Sequence, residues 1–194
     1  MPSPYLNIPQ GEWRAVTEAL LDAHPLDRAE IVEVVTSSWN AIFESRLAGK
    51  FEIGRDIFPK PQIMGFLLHE LVPLEFASRY PGTWRPEKDK KDKDIVFVPD
   101  YNMSVEIKTS SSPTSIFGNR SYAQATDNPG KSKDGYYLAI NFGKFAGHQR
   151  PEIVRIRFGW LDHTDWLGQK AASGQQARLS PAVEQSKLLL LYGK

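Results

Sequence analysis

Apolar residues recur at helical spacing twice near the start of the chain. Trp13, Val16, Leu20 and Leu21 predict a helix over residues 11–23, and Ile31, Val34, Val35, Trp39, Ile42 and Phe43 predict a second one. The second opens on Asp27 with Glu30 three residues later, the spacing of a capping box, and Gly49 is its expected stop. Residues 51–61 predict a short strand and a proline-bounded loop. Residues 62–80 are the most apolar stretch and predict a buried helix, kinked or interrupted at Pro73, whose ring removes an N–H donor and crowds the preceding turn. Residues 81–93 are charged and rich in turn formers, which predicts a loop. At residue 94 the period falls to two, and residues 94–109 predict a β-hairpin. A polar loop over 110–115, a helix start over 119–125, strands over 136–142 and 153–158, and helices over 160–172 and 181–192 complete the chain. This order predicts an α/β fold in which helices cover one mixed sheet. The expected organisation is one domain: a helical part over 1–50, a core over 51–160 and a C-terminal helical part over 161–194.

The hairpin carries the candidate chemistry. If Val98 pairs with Asn102 across a three-residue turn, Asp94 falls opposite Glu106. Successive strand residues face opposite sides, so one face holds Ile95, Phe97, Met103, Val105 and Ile107. The other holds Asp94, Val96, Val98, Ser104, Glu106 and Lys108, an apolar stripe ending in two acids and an amine. Two carboxylates suit Mg²⁺, which takes oxygen ligands and keeps several waters. Such an ion stabilises charge on a phosphoryl transition state and lowers the pKa of bound water. Lys108 shares the face of Glu106 and is placed to orient the attacking water or to neutralise developing charge. Asp100 follows Pro99 but lies six residues from Glu106, about 20 Å of extended strand, too far to share an ion. Asp94 is therefore the expected first ligand, with Asp92 and Asp100 as alternatives.

Composition adds exclusions. Cysteine is absent, which removes disulfides, thiolate metal sites and cysteine nucleophiles. The formal net charge of +1 does not announce nucleic acid by itself, but acidic metal ligands would offset a basic surface. Residues 1–10 lack a basic segment followed by an apolar one, and no apolar run approaches the ~18 residues of a membrane span. The expectation is a soluble, cytoplasmic protein with no membrane partner.

Several polar groups could support the hairpin. Glu70 lies in the apolar helix, where a buried carboxylate is costly unless paired or bound to metal. It is a candidate further acid at the site, with a structural ion pair or an exposed helix edge as the alternative, and His69 beside it reads as an ordinary core or surface histidine. Ser110, Ser111, Asn119, Arg120, Tyr122 and Gln124 follow the hairpin closely, and Asn, Arg and Gln are side chains that hold phosphates or read base edges. Gln175, Gln176 and Arg178 form a second candidate DNA-contacting loop. Asp162, His163 and Asp165 make a polar cluster expected to be solvated.

The run Asp56-Ile57-Phe58-Pro59-Lys60-Pro61-Gln62, then His69-Glu70-Leu71, then Glu106-Ile107-Lys108-Thr109-Ser110-Ser111 in the hairpin resemble the ScaI-type type II restriction endonucleases. The stretches 116–124, 135–139 and 157–163 share the likeness, which covers most of the chain from about Trp13 onward. The resemblance implies a PD-(D/E)XK nuclease core, a mixed sheet of about five strands flanked by helices. It also implies Mg²⁺-dependent cleavage of double-stranded DNA at a short palindromic site, with Mn²⁺ able to substitute. A two-fold site in turn implies a homodimer. The class motif maps onto Asp94, Glu106 and Lys108, and departs from its usual form in that no proline precedes Asp94. Two other readings compete: a structure-specific or repair nuclease on the same core, and a non-catalytic DNA-binding module.

Overall fold

A computed structural model describes residues 2–125, 131–171 and 173–193. Helix α1 (Trp13–Asp22) follows a single 3-10 turn, and α2 (Arg28–Glu44) starts where Asp27 accepts the backbone N–H groups of Ala29 and Glu30. Only that half of the capping box forms, because the Glu30 carboxylate accepts the Tyr80 hydroxyl instead. The helix ends five residues before Gly49, which sits at φ +67° in the turn between two short strands, β1 (Arg46–Leu47) and β2 (Phe51–Glu52). Helix α3 (Pro61–Arg79) then runs without interruption through Pro73. It is not buried all round as expected. Met64, Leu68, Val72 and Phe76 enter the core, while Ile63, Phe66 and Leu74 are more than half exposed.

The strands that follow are β3 (Trp84–Pro86), β4 (Ile95–Phe97), β5 (Val105–Ser110), β6 (Phe117–Asn119), β7 (Gly135–Phe142), β8 (Ile153–Leu161), β9 (Trp166–Gly168) and β10 (Gln176–Leu179). The chain closes with α4 (Pro181–Ser186) and β11 (Leu189–Gly193). Six strands form the main sheet in the order β11-β8-β7-β5-β4-β3, in which β5 and β7 are parallel and the other neighbours antiparallel. Three more form a small sheet, β6-β10-β9. The α/β class and the mixed, helix-flanked sheet agree with expectation.

Three expectations fail, the two C-terminal ones because short apolar runs pair as readily as they coil. The loop over 81–93 contains edge strand β3, paired with β4. The helix over 160–172 is instead the end of β8, a 3-10 turn and β9; residue 172 lies outside the described residues. The helix over 181–192 stops at Ser186 and gives way to β11, so the C-terminal part is largely strand.

Alternation along β5 sends Val105 and Ile107 to one face of the main sheet, where they join Tyr136, Leu138, Ile140, Ile156 and Phe158 beneath the three long helices. Glu106, Lys108 and Ser110 point to the other face, beside Tyr137, Ala139 and Asn141 in register. The small sheet and α4 cover part of that face through Ile116, Trp166, Ala177, Leu179 and Val183. The molecule is therefore layered, with helices, main sheet and small sheet in turn.

Candidate active site

Strands β4 and β5 meet with Ile95 opposite Val105. Carried one residue outward, this register sets Asp94 opposite Glu106, as the hairpin pattern predicts. Beyond that pair the ladder stops. The Asp94 carboxylate takes its place, its Oδ2 accepting the backbone N–H of Ile107 at 2.6 Å. The connection also follows from sequence. Asp100 accepts the Asn102 N–H at 3.0 Å and caps the 3-10 turn Tyr101–Met103. Asp100 is exposed there and is not brought to Glu106, while Asp92 is bound to Arg85 at 2.6 Å and to the Lys88 N–H. Of the three aspartates, the structure brings Asp94 to the site.

Asp94 and Glu106 are both almost fully buried. The Lys131 ammonium lies 2.9 Å from Asp94 Oδ1 and 2.7 Å from Glu106 Oε2, so a single cation reaches both acids. Lys108 donates to Glu106 Oε1 at 2.8 Å, and the Tyr122 hydroxyl donates to the same oxygen at 2.5 Å. The Lys108 ammonium also rides over the Tyr122 ring, 4.5 Å from its centre. On the helix side, His69 Nε2 is 3.2 Å from Asp94 Oδ2. Gly65 explains how α3 comes this close: a Cβ there would stand 2.7 Å from Thr109 Oγ1 of β5, and His69 follows one turn later on the same face.

Burial and the neighbouring charges oppose one another within the site. Burial pushes the Asp94 carboxyl up, but His69, Lys108 and Lys131 outweigh it and hold the group below the usual carboxylate range. Burial and Asp94 likewise push Glu106 up, and Lys108, Lys131 and Lys93 bring it below its ordinary value. Burial draws Lys93 down to about 8 against the attraction of Glu106. For Lys131 the two carboxylates win over burial and raise the ammonium above its ordinary value. Burial and the neighbouring Glu106 charge keep the Tyr122 hydroxyl protonated.

An acid pair that one cation already bridges fits a divalent ion. Among the described residues no group of three or more His, Asp or Glu is placed to hold a metal by itself. Two carboxylates, with waters and substrate phosphate completing the shell, is the ligand set Mg²⁺-type ions use.

The other expected residues divide. Glu70 is on the exposed side of α3, not buried, and its nearest charged partner is His69 at 3.8 Å, so the premise that drew it into the site fails. Asn119 and Gln176 are exposed and directly opposite one another in the small sheet, and Arg178 is exposed opposite Phe117. Gln175 and Gln124 are exposed as well. Residues 176–178 are thus strand, not the flexible loop expected. Ser110 is buried and its hydroxyl accepts the Ser112 N–H; Ser111 is half-buried. Arg120 donates to the carbonyls of Ala171 and Gly174, tying the β9–β10 loop to the turn that carries Tyr122. The half-buried Tyr122 reaches the acid pair, its hydroxyl on Glu106. The cluster expected to be solvated is structural: Lys187 bridges buried Asp162 and Asp165, and His163 meets Asp134.

Sequence reasoning misses Lys131 and sets His69 aside. Lys131 lies 25 residues after Glu106 in no periodic pattern, and nothing local links it to the hairpin. The signal for His69 is its neighbour: a histidine one helical turn past a glycine is carried wherever that glycine lets the helix approach.

Buried acids and a lysine on adjoining strands of a helix-flanked mixed sheet are the arrangement of a restriction endonuclease-like nuclease. A profile of the ScaI restriction endonuclease family matches residues 3–192. The chain is 48% identical over 195 residues to the type II restriction enzyme ScaI of Streptomyces caespitosus, an alignment covering 98% of this chain and 85% of the relative. No solved structure matches the chain. The chain belongs to the ScaI restriction endonuclease family, and its class of activity is site-specific DNA cleavage by a metal-dependent type II enzyme.

Proposed function

We propose that this protein hydrolyses both strands of DNA at a short palindromic site, as a homodimer, with Mg²⁺ held by Asp94 and Glu106. The observation that carries the reading is the pair of buried carboxylates facing one cation, with Lys108 on the same strand face. When bound, the metal supplies charge stabilisation at the scissile phosphate and a more acidic water. The chain's own groups do the rest. The Ile107 N–H and His69 hold Asp94 in one orientation, and Tyr122 does the same for Glu106. Lys108 Nζ, anchored on Glu106 Oε1, orients the attacking water and offsets charge on the phosphate.

Substrate reading falls to the small sheet. Alternation turns Asn119, Gln176 and Arg178 outward, and the register sets the two amides side by side. Amides match the adenine edge and a guanidinium matches guanine, and a β-ribbon fits the major groove. Gln124 and Gln175, both exposed, extend that surface, and half-buried Ser111 follows the strand that carries Glu106. A two-fold DNA site is served by a two-fold protein, which is the basis for the homodimer.

The test is digestion of a mapped DNA with purified protein and Mg²⁺, followed by sequencing of the ends. Discrete fragments with one repeated terminal sequence are expected. Cleavage confined to branched or mismatched DNA, or binding without cleavage in Mg²⁺ or Mn²⁺, would refute it.

A further inference from the structure

Lys131 lies outside the hairpin, on the segment leading into β7, yet its ammonium sits between the hairpin's two acids. Of the two acids, Lys108 bonds to Glu106. A third carboxylate, the half-exposed Glu87, is 4.0 Å from the Lys131 ammonium on its outer side. Two buried carboxylates at close range repel unless a positive charge stands between them. An ammonium meets such oxygens at ~2.8 Å, whereas Mg²⁺ requires them at ~2.1 Å. The same pair of oxygens cannot serve both cations at once.

We propose that Lys131 is a built-in counter-ion of the metal site, holding Asp94 and Glu106 in place before metal arrives and giving up that position when a divalent cation enters. The proposal rests on Asp94 and Glu106 being the metal pair. Charge gives the consequence. Asp94 and Glu106 are already offset by Lys108 and Lys131, with buried Lys93 adding positive charge nearby, so a divalent ion entering beside a resident Lys131 would leave an excess of at least two positive charges in a buried site. Entry is therefore coupled to departure of the amine, toward Glu87 or toward a DNA phosphate. DNA supplies negative charge that the incoming metal and the displaced lysine can both use, so metal and DNA bind cooperatively. Lys131 acts through the two acids and is a positioning residue. It sets metal affinity and its coupling to substrate.

The experiment is calorimetric titration of the full chain with Mn²⁺ or Mg²⁺ in the absence of DNA, comparing wild type with Lys131→Met. The variant is expected to bind metal at least tenfold more tightly, to melt at a lower temperature in chelator, and to recover on metal addition. Equal or weaker affinity in the variant, including binding in neither protein, overturns the proposal. A fold-independent measurement accompanies it: amine acetylation of the wild-type chain read by mass spectrometry. Saturating metal should raise the modification rate of Lys131 several-fold while leaving exposed Lys50 and Lys144 unchanged; an unchanged Lys131 rate overturns it. Glu106→Gln separates the two levels. If that variant binds metal as wild type does, the acid pair itself is misassigned. If it loses metal while Lys131→Met binds normally, only the counter-ion role fails.

Discussion

The two faces of the main sheet are built from the same strands and have opposite characters. Toward the long helices, β5, β7 and β8 present Val105, Ile107, Leu138, Ile140, Ile156 and Phe158, all essentially without solvent contact. Toward the small sheet they present Glu106, Lys108, Asn141 and Arg157 among the apolar residues. Burying apolar area stabilises by about 25 cal/mol per Å². Burying charge costs several kcal/mol per ion unless each is paired. On the second face each is paired: Glu106 with Lys108 and Lys131, Arg157 with Glu184 and Asn141. The first face makes the fold, and its rigidity lets the second keep charges where chemistry needs them. A one-residue slip of β5 would exchange the two sets, so register is the point at which stability and function meet.

Substitutions on the two faces should separate those properties. Glu106→Gln and Asp94→Asn are each expected to lower the cleavage rate by at least ~10³-fold while circular dichroism stays native, since each removes charge from the acid pair. Asp100→Asn should remain within about twofold of wild type, because it alters a surface turn cap worth roughly 1 kcal/mol. On the dry face, Phe76→Ala should lose about 3–5 kcal/mol in denaturant unfolding through the cavity it leaves, with the folded fraction cutting at a near-normal rate. Comparable activity loss from Phe76→Ala and Glu106→Gln at full folding would erase the distinction between the faces.

The same division governs what the amino-acid sequence discloses by itself. The hairpin is legible because alternation and the placing of Asp94 opposite Glu106 are local and mutually consistent, although the three-residue turn does not form: Val98 donates to Thr83 and residues 98–104 make the connection. Helices α1 and α2 are legible from 3.6-residue periodicity and the Asp27 cap. The C-terminal third is not. Residues 188–191 are four leucines, which suit a helix or a strand equally, and only pairing of β11 with β8 decides. Lys131 is invisible for a related reason. Its role arises from β7 lying parallel to β5, a crossover that brings residue 131 back to the hairpin. Glu70 misleads because an apolar segment reads as buried all round, whereas α3 leaves one side open.

Acid should probe the two faces in separate pH windows. His24 lies on the dry side, edge-on to Tyr136 and Phe158 at 4.3 and 4.9 Å. Its Nδ1 accepts the Leu26 N–H, so the proton is on Nε2 and is donated to the Met103 carbonyl. Burial lowers its pKa from 6.5 to about 4. Between those values the unfolded chain binds the extra proton, so stability falls as pH drops from 6.5 toward 4, by up to about 3 kcal/mol. Asp94 and Glu106, both held low, give up their share only at still lower pH, through the carboxylate range. In metal-free unfolding measurements His24→Phe should flatten the upper window alone. Loss of the lower slope in that variant would mean the faces are not independent.

A smaller effect than at the acids themselves is expected at the hydroxyl joining the small sheet's turn to the acid pair. Tyr122→Phe removes the donor to Glu106 Oε1 and leaves the ring beneath Lys108 and beside Trp166. One hydrogen bond to a charged group contributes about 1.5–3 kcal/mol when buried, and Lys108 remains on the same oxygen to offset part of the loss. Cleavage should therefore fall by roughly tenfold at saturating DNA, with KM little changed and unfolding stability within about 1 kcal/mol. Tyr122→Ala, which also uncovers Lys108, should lose more of both. A Tyr122→Phe enzyme with wild-type kcat would mean that the lysines alone orient Glu106. The small sheet would then touch the catalytic acids only through packing, and substrate reading and cleavage would be joined by shape instead of by this hydrogen bond.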